Sequence, residues 1–314
     1  MTRNGIMKAL IITIAVLLLA SLPAAAQEYE RTVKESFKTT SSPSVVIDSR
    51  FGSVDVRAGG GNTASVIVRV IVDVGSEAKA RKLAEATRVE IKGSSDKVTV
   101  RTALPDGMDE EDGEERNISI DINVTVPEGS RVKLQNKFGD VDVAGVKGSV
   151  EVQCSFGSIE VKNCSNVRAE SSFGNMSFAA IDGKIEAQGK MGKLIAYDIP
   201  GGKIASSYGD VEINGVKGRL EVTSSMGSMS IKGMRSGEIS SSYGSVDVTL
   251  DRAFSGRIEA STSFGSINSE VELKSKEKKR SPGQMGEKKY GTVGSGSDRL
   301  VIKSSFGDVG IEKP

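Results

Sequence analysis

Residues 131–178 read RVKLQNKFGDVDVAGVKGSVEVQCSFGSIEVKNCSNVRAESSFGNMSF. The same phrase occurs three times: an aromatic, a glycine, a small polar residue and an apolar residue. Extending the phrase outward gives Phe138-Gly139, Phe156-Gly157, Phe173-Gly174, Met191-Gly192, Tyr208-Gly209, Met226-Gly227, Tyr243-Gly244 and Phe264-Gly265, separated by 18, 17, 18, 17, 18, 17 and 21 residues. Repetition this regular is a structural period. Counted from each aromatic or Met, position +3 is apolar, as in Val141, Ile159, Leu194 and Val246, and +5 usually is too, with a mostly polar +4 between them. That alternation is a strand with one face in and one face out. A second alternating run follows in each unit (SVEVQ, KIEAQ, RLEVT), reached through a Gly-containing corner such as AGVKG or NGVKG.

A unit of 17 or 18 residues cannot bury its inward face alone. Stacked on an equivalent unit, with strands about 4.8 Å apart, it closes a continuous core. The expected fold is therefore all-β: a single-stranded parallel β-helix, or β-solenoid, right-handed by the general rule for parallel crossovers. Stacking predicts an internal ladder in which Phe156, Phe173 and Tyr208 are buried one above another. It also predicts that the following glycine turns the chain at a corner crowded by adjacent coils. Small residues two before the aromatic (Cys154, Ser171, Ser206, Ser224, Ser241, Thr262, Ser304) form a second row. Cys154 takes a serine's place there. Cys154 and Cys164 either pair after export or are two small buried thiols.

Three domains are expected. Residues 1–26 have a basic start, the apolar run ALIITIAVLLLASL and the small-residue end PAAA of a cleaved signal peptide. Residues 27–130 form a β-rich cap containing the coil-like phrase SRFGSVDV, a helix over 77–87, a hairpin in RVEIKGSSDKVTVRT and an acidic loop over 105–116. Residues 131–314 form the solenoid, with a flexible basic insertion at 274–298 that loops out of the stack, and Phe306-Gly307 forms the last coil.

The phrases VTVPEGSRVKLQNKFGDVDVAGVKGSVEVQCSFGSIEV, SSFGDV and SSYGDV resemble the bacterial putative-adhesin domain family of exported β-solenoid proteins, a domain of unknown function. The resemblance covers roughly residues 45–312 and implies the fold; it carries no catalytic residues. Members commonly have Gly-Asp at the corner, and Ser158, Ser228, Ser245 and Ser266 stand in that place here, with little consequence expected.

Histidine is absent, which removes the commonest general base, the Ser-His-Asp and Cys-His nucleophile systems and the commonest zinc ligand. Phosphate-binding and dinucleotide fingerprints are absent too. The column Asp142, Glu160, Glu212, Asp247 would line an outer face at coil spacing; plain outward alternation accounts for it, so no catalytic, cofactor-binding or metal residue is assigned. A net charge of +1 predicts no nucleic-acid partner. The expectation is a non-enzymatic, adhesin-like envelope or cell-surface protein, periplasmic or extracellular, with no integral membrane segment after signal cleavage. Its partner would be an envelope protein or a surface glycan. A carbohydrate-active or carbohydrate-binding solenoid and an accessory of an envelope stress-signalling system are the alternatives. The acidic loop (net −6) and residues 274–289 (net +5) also predict weak head-to-tail self-association that salt would screen.

Overall fold

The computed structural model describes residues 28–105, 117–275 and 286–314. The expected signal peptide, nearly all of the acidic loop and residues 276–285 of the basic insertion lie outside them. The described chain forms a 14-stranded and a 13-stranded sheet and one helix, Glu77–Ala86. Each coil supplies one strand to each sheet. In the Phe156 coil, Ser149–Phe156 joins the first sheet and Ile159–Lys162 the second. Pairing between coils is parallel and in register: Phe156 sits opposite Phe138 on one side and Phe173 on the other. The sequence dictates this arrangement, because Val150, Val152 and Cys154 point in from one sheet and Ile159 and Val161 from the other. Only neighbouring coils can cover them. Val146, Cys164, Ile181, Ile199, Val216 and Met234 close the core at the second corner, all buried.

Antiparallel pairs among the described residues fall at the two ends of the stack. At one end Thr63–Asp73 runs against Asn117–Pro127, Glu28–Lys38 runs against Thr63–Asp73, and Arg88–Gly93 forms the expected hairpin with Lys97–Ala103. The helix packs there through Ala80 and Ala84, and the Arg31 guanidinium donates to the Ala84 and Thr87 carbonyls at 2.9 and 3.0 Å, capping its C-terminus. At the other end Glu287–Val293 runs antiparallel to Gly256–Phe264. Glu287 Oε2 accepts from Ile267 N–H at 2.7 Å and Lys289 Nζ donates to Ile267 O at 2.6 Å, so two side chains satisfy backbone groups of the last strand in the other sheet. An open parallel edge would otherwise pair with another chain. Part of the segment expected to be a flexible insertion is therefore an ordered cap.

The order of coils departs from the order of the sequence at both ends. The Phe51 coil (Ser44–Phe51, Val54–Gly59) stacks directly on the Phe138 coil, with Lys97–Ala103 and Asn117–Pro127 beneath it. At the far end the Phe306 coil (Asp298–Phe306, Val309–Glu312) is not the last. It lies between the Tyr243 and Phe264 coils, pairing in parallel with both. The cause is the connector 251–255, which carries the chain across two rungs where other coils step one. The spacing of 21 residues between Tyr243 and Phe264 was its trace in the sequence.

The candidate functional site: an exposed ladder and its polar flank

The repeated aromatics form one column, but on the outside. Phe156, Phe173, Met191, Tyr208, Met226, Tyr243, Phe264 and Phe306 are each 41–55% exposed. This corrects the expected buried ladder. Strand alternation places −6, −4 and −2 inward (Val150, Val152, Cys154), and one more step would bring the aromatic inward too. The corner intervenes. The two sheets meet at the glycine, and the narrow interior there is already filled by the small residue at −2. In several coils that residue donates to the corner carbonyl: Ser206 Oγ to Gly209 O at 3.2 Å, Ser304 Oγ to Gly307 O at 3.3 Å, Asn136 Nδ2 to Gly139 O at 2.9 Å. Cys154 does the same with its thiol, 3.6 Å from Gly157 O. The aromatic is left on the rim.

Its rings then cover each other. Phe51, Phe138, Phe156 and Phe173 stack with centroids 4.9–5.2 Å apart and interplanar angles of 1–11°, and Tyr243, Phe306 and Phe264 stack at 4.7–4.8 Å. Met191, Tyr208 and Met226 bridge the two runs. Faces are occluded and edges exposed, which explains the intermediate exposure. The result is an apolar ridge of ten rungs, about 45 Å long at the parallel-strand spacing.

The corner glycines hold the rungs at this spacing. Gly209 has φ +140, and a Cβ on it would lie 2.2 Å from the Gly192 carbonyl oxygen; Gly157, Gly174 and Gly244 each meet the glycine of the coil below in the same way. The residue after the glycine adds a second link. Asp140 Oδ1 accepts from Ser158 N–H at 2.8 Å, Asn175 Oδ1 from Lys193 N–H at 2.9 Å, Asp210 Oδ1 from Ser228 N–H at 2.9 Å and Asp308 Oδ1 from Ser266 N–H at 2.7 Å. The donor is a backbone N–H in each link, from Ser158, Ser228 and Ser266 at three of them and Lys193 at the fourth, whereas Ser245 bonds the Ser228 hydroxyl at 3.2 Å instead. Any residue at these positions supplies that backbone N–H, so what a serine changes is charge: consecutive Asp would put like charges one rung apart. The Ser266 N–H and hydroxyl hold the Asp308 carboxyl below the usual carboxylate range.

Beside the ridge, on the outer face of the first sheet, lies a depression of about 430 Å³ lined by Gln153, Ser155, Glu170, Ser172, Gln188 and Lys190 among others. Gln135 donates to Gln153 at 2.9 Å, continuing an amide row along the sheet. The ridge thus has a polar, serine-rich flank.

The carboxylate column is not gathered into a site. Asp142 and Glu160 are neighbours, but Ser177 and Ile195 separate Glu160 from Glu212, and Ser230 separates Glu212 from Asp247. Asp142 is bound by both Arg57 Nη atoms at 2.9 Å, Glu160 by Lys162 at 2.5 Å and Glu212 by Lys193 at 2.8 Å. Lys193 holds the Glu212 carboxyl below the usual range, the wrong direction for a general acid. Among the described residues no group of three or more Cys, Asp or Glu could hold a metal ion, and no helix is long and apolar enough to cross a membrane. Cys154 and Cys164 are separate buried thiols, and burial pushes the Cys154 thiol up to about 11, far from a reactive thiolate.

Among curated proteins, none matches this chain. Solved structures that resemble it include a "putative adhesin" from Bacteroides fragilis, 10% identical over 90% of this chain and 97% of that one, with a TM-score of 0.43. A "putative adhesin" from Parabacteroides distasonis is 10% identical over 89% and 97%, TM-score 0.40, and a "putative cell adhesion protein" from Clostridium sporogenes 10% identical over 92% and 100%, TM-score 0.28. The Toastrack DUF4097 family profile matches residues 44–312, from the first strand of the Phe51 coil to the last residue of the Phe306 coil, and the chain belongs to that family of β-solenoid domains of unknown function.

Proposed function

We propose that the chain is a non-enzymatic, exported envelope or cell-surface protein that binds another envelope protein, adhesin-like, along the exposed aromatic and methionine ridge. The observation that supports it is the ladder's placement: ten rungs of apolar side chain on the rim of a rigid stack, where stability alone needs only a small residue facing the core. Aromatic, methionine and flanking serine side chains suit protein recognition, the first two as apolar contact area and the last as adaptable hydrogen-bonding groups. Stacked rings with covered faces are poor platforms for a sugar, which needs an open ring face. The ion pairing of Asp142, Glu160 and Glu212 and their spread over several coils support the non-enzymatic reading.

A glycan remains the second reading because of the polar depression, whose Gln153, Glu170 and Gln188 offer paired donors and acceptors. The two readings separate by mutation. A triple substitution of Phe156, Phe173 and Tyr208 to Ser, with the melting temperature measured alongside, is expected to abolish binding to envelope protein fractions. Gln153→Ala with Gln188→Ala is expected to leave it intact. Unchanged protein binding by the ridge variant, or loss of glycan-array binding in the Gln variant alone, would overturn the protein reading in favour of the glycan.

A further inference from the structure

The far end of the stack contains a place built for one segment. After Leu250 the chain does not step to the adjacent rung. Residues 251–255 form a turn, with Ala253 N–H donating to Asp251 Oδ1 at 2.8 Å and Phe254 N–H to Asp251 O at 3.0 Å, and Phe254 is buried. The chain then lays down Gly256–Phe264 and Ile267–Ser269 two rungs above the Tyr243 coil. Between the two coils is a slot one coil thick, walled by residues that precede its occupant in the sequence. Residues 298–312 fill it.

The fit is specific on both walls. Toward the Tyr243 coil, Gly244 N–H donates to Phe306 O and Val246 N–H to Asp308 O, each at 2.9 Å; toward the Phe264 coil, Gly307 N–H donates to Phe264 O and Val309 N–H to Ser266 O, each at 2.9 Å. Asp298 anchors the entry, accepting from Ser255 N–H at 3.0 Å and lying 3.5 Å from both Arg235 Nη2 and Ser236 Oγ. No other coil has an acid eight residues before its aromatic or methionine: the equivalent positions are Pro43, Ser130, Gly148, Ser165, Gly183, Pro200, Gly218, Arg235 and Gly256. The slot therefore distinguishes residues 298–312 from every other repeat. It has no means of distinguishing them from the same residues of another copy.

The geometry points to an exchangeable coil: the slot between the Tyr243 and Phe264 coils is a binding site for residues 298–312, and it accepts them from a second copy of this chain. Only residues 294–297, Gly-Ser-Gly-Ser, tie the coil to the antiparallel cap Glu287–Val293. Val293 and Asp298 both stand opposite Gly256, on its two sides, so this short tether straddles one strand. A tether gives its own coil an effective concentration in the millimolar range, and shortening it removes that advantage and favours exchange. Exchange of identical elements adds no contact absent from the monomer, which makes it a low-cost route to a dimer.

Ser240 and Lys303 are register partners on the outer faces of adjacent strands, and a cysteine at each reports which coil fills which slot. The full chain carrying both Ser240→Cys and Lys303→Cys, treated with a short bismaleimide, is expected to cross-link within one molecule. Equal amounts of the two single variants, unfolded and refolded together at high concentration, are expected to give a covalent dimer joined through positions 240 and 303. Its yield should rise several-fold when residues 294–296 are deleted from the Lys303→Cys partner. A mixture that stays monomeric with either tether length overturns the proposal. So does a double variant that fails to cross-link, or a Ser240→Cys chain that dimerises equally well with itself.

Discussion

The two edges of the solenoid turn the same chain through the same stack, yet they tolerate different residues. At the aromatic edge the turning residue is glycine in each of the ten coils, and at nine of them, all but Gly52, a Cβ would lie 2.1–2.3 Å from a neighbouring glycine carbonyl oxygen. At the other edge, seven residues after the aromatic, the turning residues of six successive coils are Gly145, Asn163, Ala180, Asp198, Gly215 and Gly233, with φ between +51 and +82. Both edges demand a left-handed backbone. Only the first sets that backbone against a neighbouring carbonyl; at the second the close neighbours are side chains, Ala58 Cβ at 3.0 Å from a Cβ on Gly145 and Asp198 Oδ1 at 2.8 Å from one on Gly215. A Cβ on Gly233 would have its nearest neighbour at 3.5 Å, an ordinary contact. The aromatic edge is invariant through packing, whereas the second edge imposes a backbone preference that Asn and Asp satisfy at small cost.

The largest expected effect follows from the packing demand. Gly209→Ala should destabilise by about 3 kcal/mol or more, because the new Cβ meets a backbone carbonyl that cannot move without opening the ladder. Denaturant unfolding measures it, and a loss under about 1 kcal/mol would erase the distinction between the edges. Gly233→Ala should cost about 1–2 kcal/mol, the left-handed penalty alone. Ser206→Ala removes the buried hydroxyl that donates to the Gly209 carbonyl and should cost about 1 kcal/mol. A Ser206→Cys variant should recover part of that, since Cys154 already performs the same task three coils nearer the N-terminus.

The repeat, the two corners and the inward small row were legible in the sequence because each is a property of one coil: Val150 and Val152 alternate, Cys154 is small and Gly157 turns. The exposure of Phe156 was not, because alternation counts positions along a strand and is blind to where the strand ends. One residue of bend reverses the direction of the side chain. The order of coils was hidden for a different reason. Each coil offers much the same parallel edge, so its sequence says that it stacks but not on which neighbour. Only the 21-residue step before Phe264 and the lone acid Asp298 marked the inserted coil. The ridge itself was missed as a candidate site because its residues had already been assigned to the core.

Ala180 gives the smallest and sharpest test of the comparison. It occupies the second edge with φ +53, between Asn163 below and Asp198 above, and unlike them it has no polar side chain to support a left-handed turn. If that edge asks only for a conformation, Ala180→Gly should stabilise the protein. The gain is the relieved left-handed penalty less the extra entropy that glycine loses on folding, about 0.5–1 kcal/mol net. Asn163→Gly at the preceding coil should be close to neutral, because Asn already tolerates this backbone. The pair of variants separates conformation from packing. A gain at 180 with none at 163 supports a purely conformational second edge. Destabilisation by Ala180→Gly would show instead that the Ala180 methyl carries packing of its own, and the two edges would then differ in degree rather than in kind.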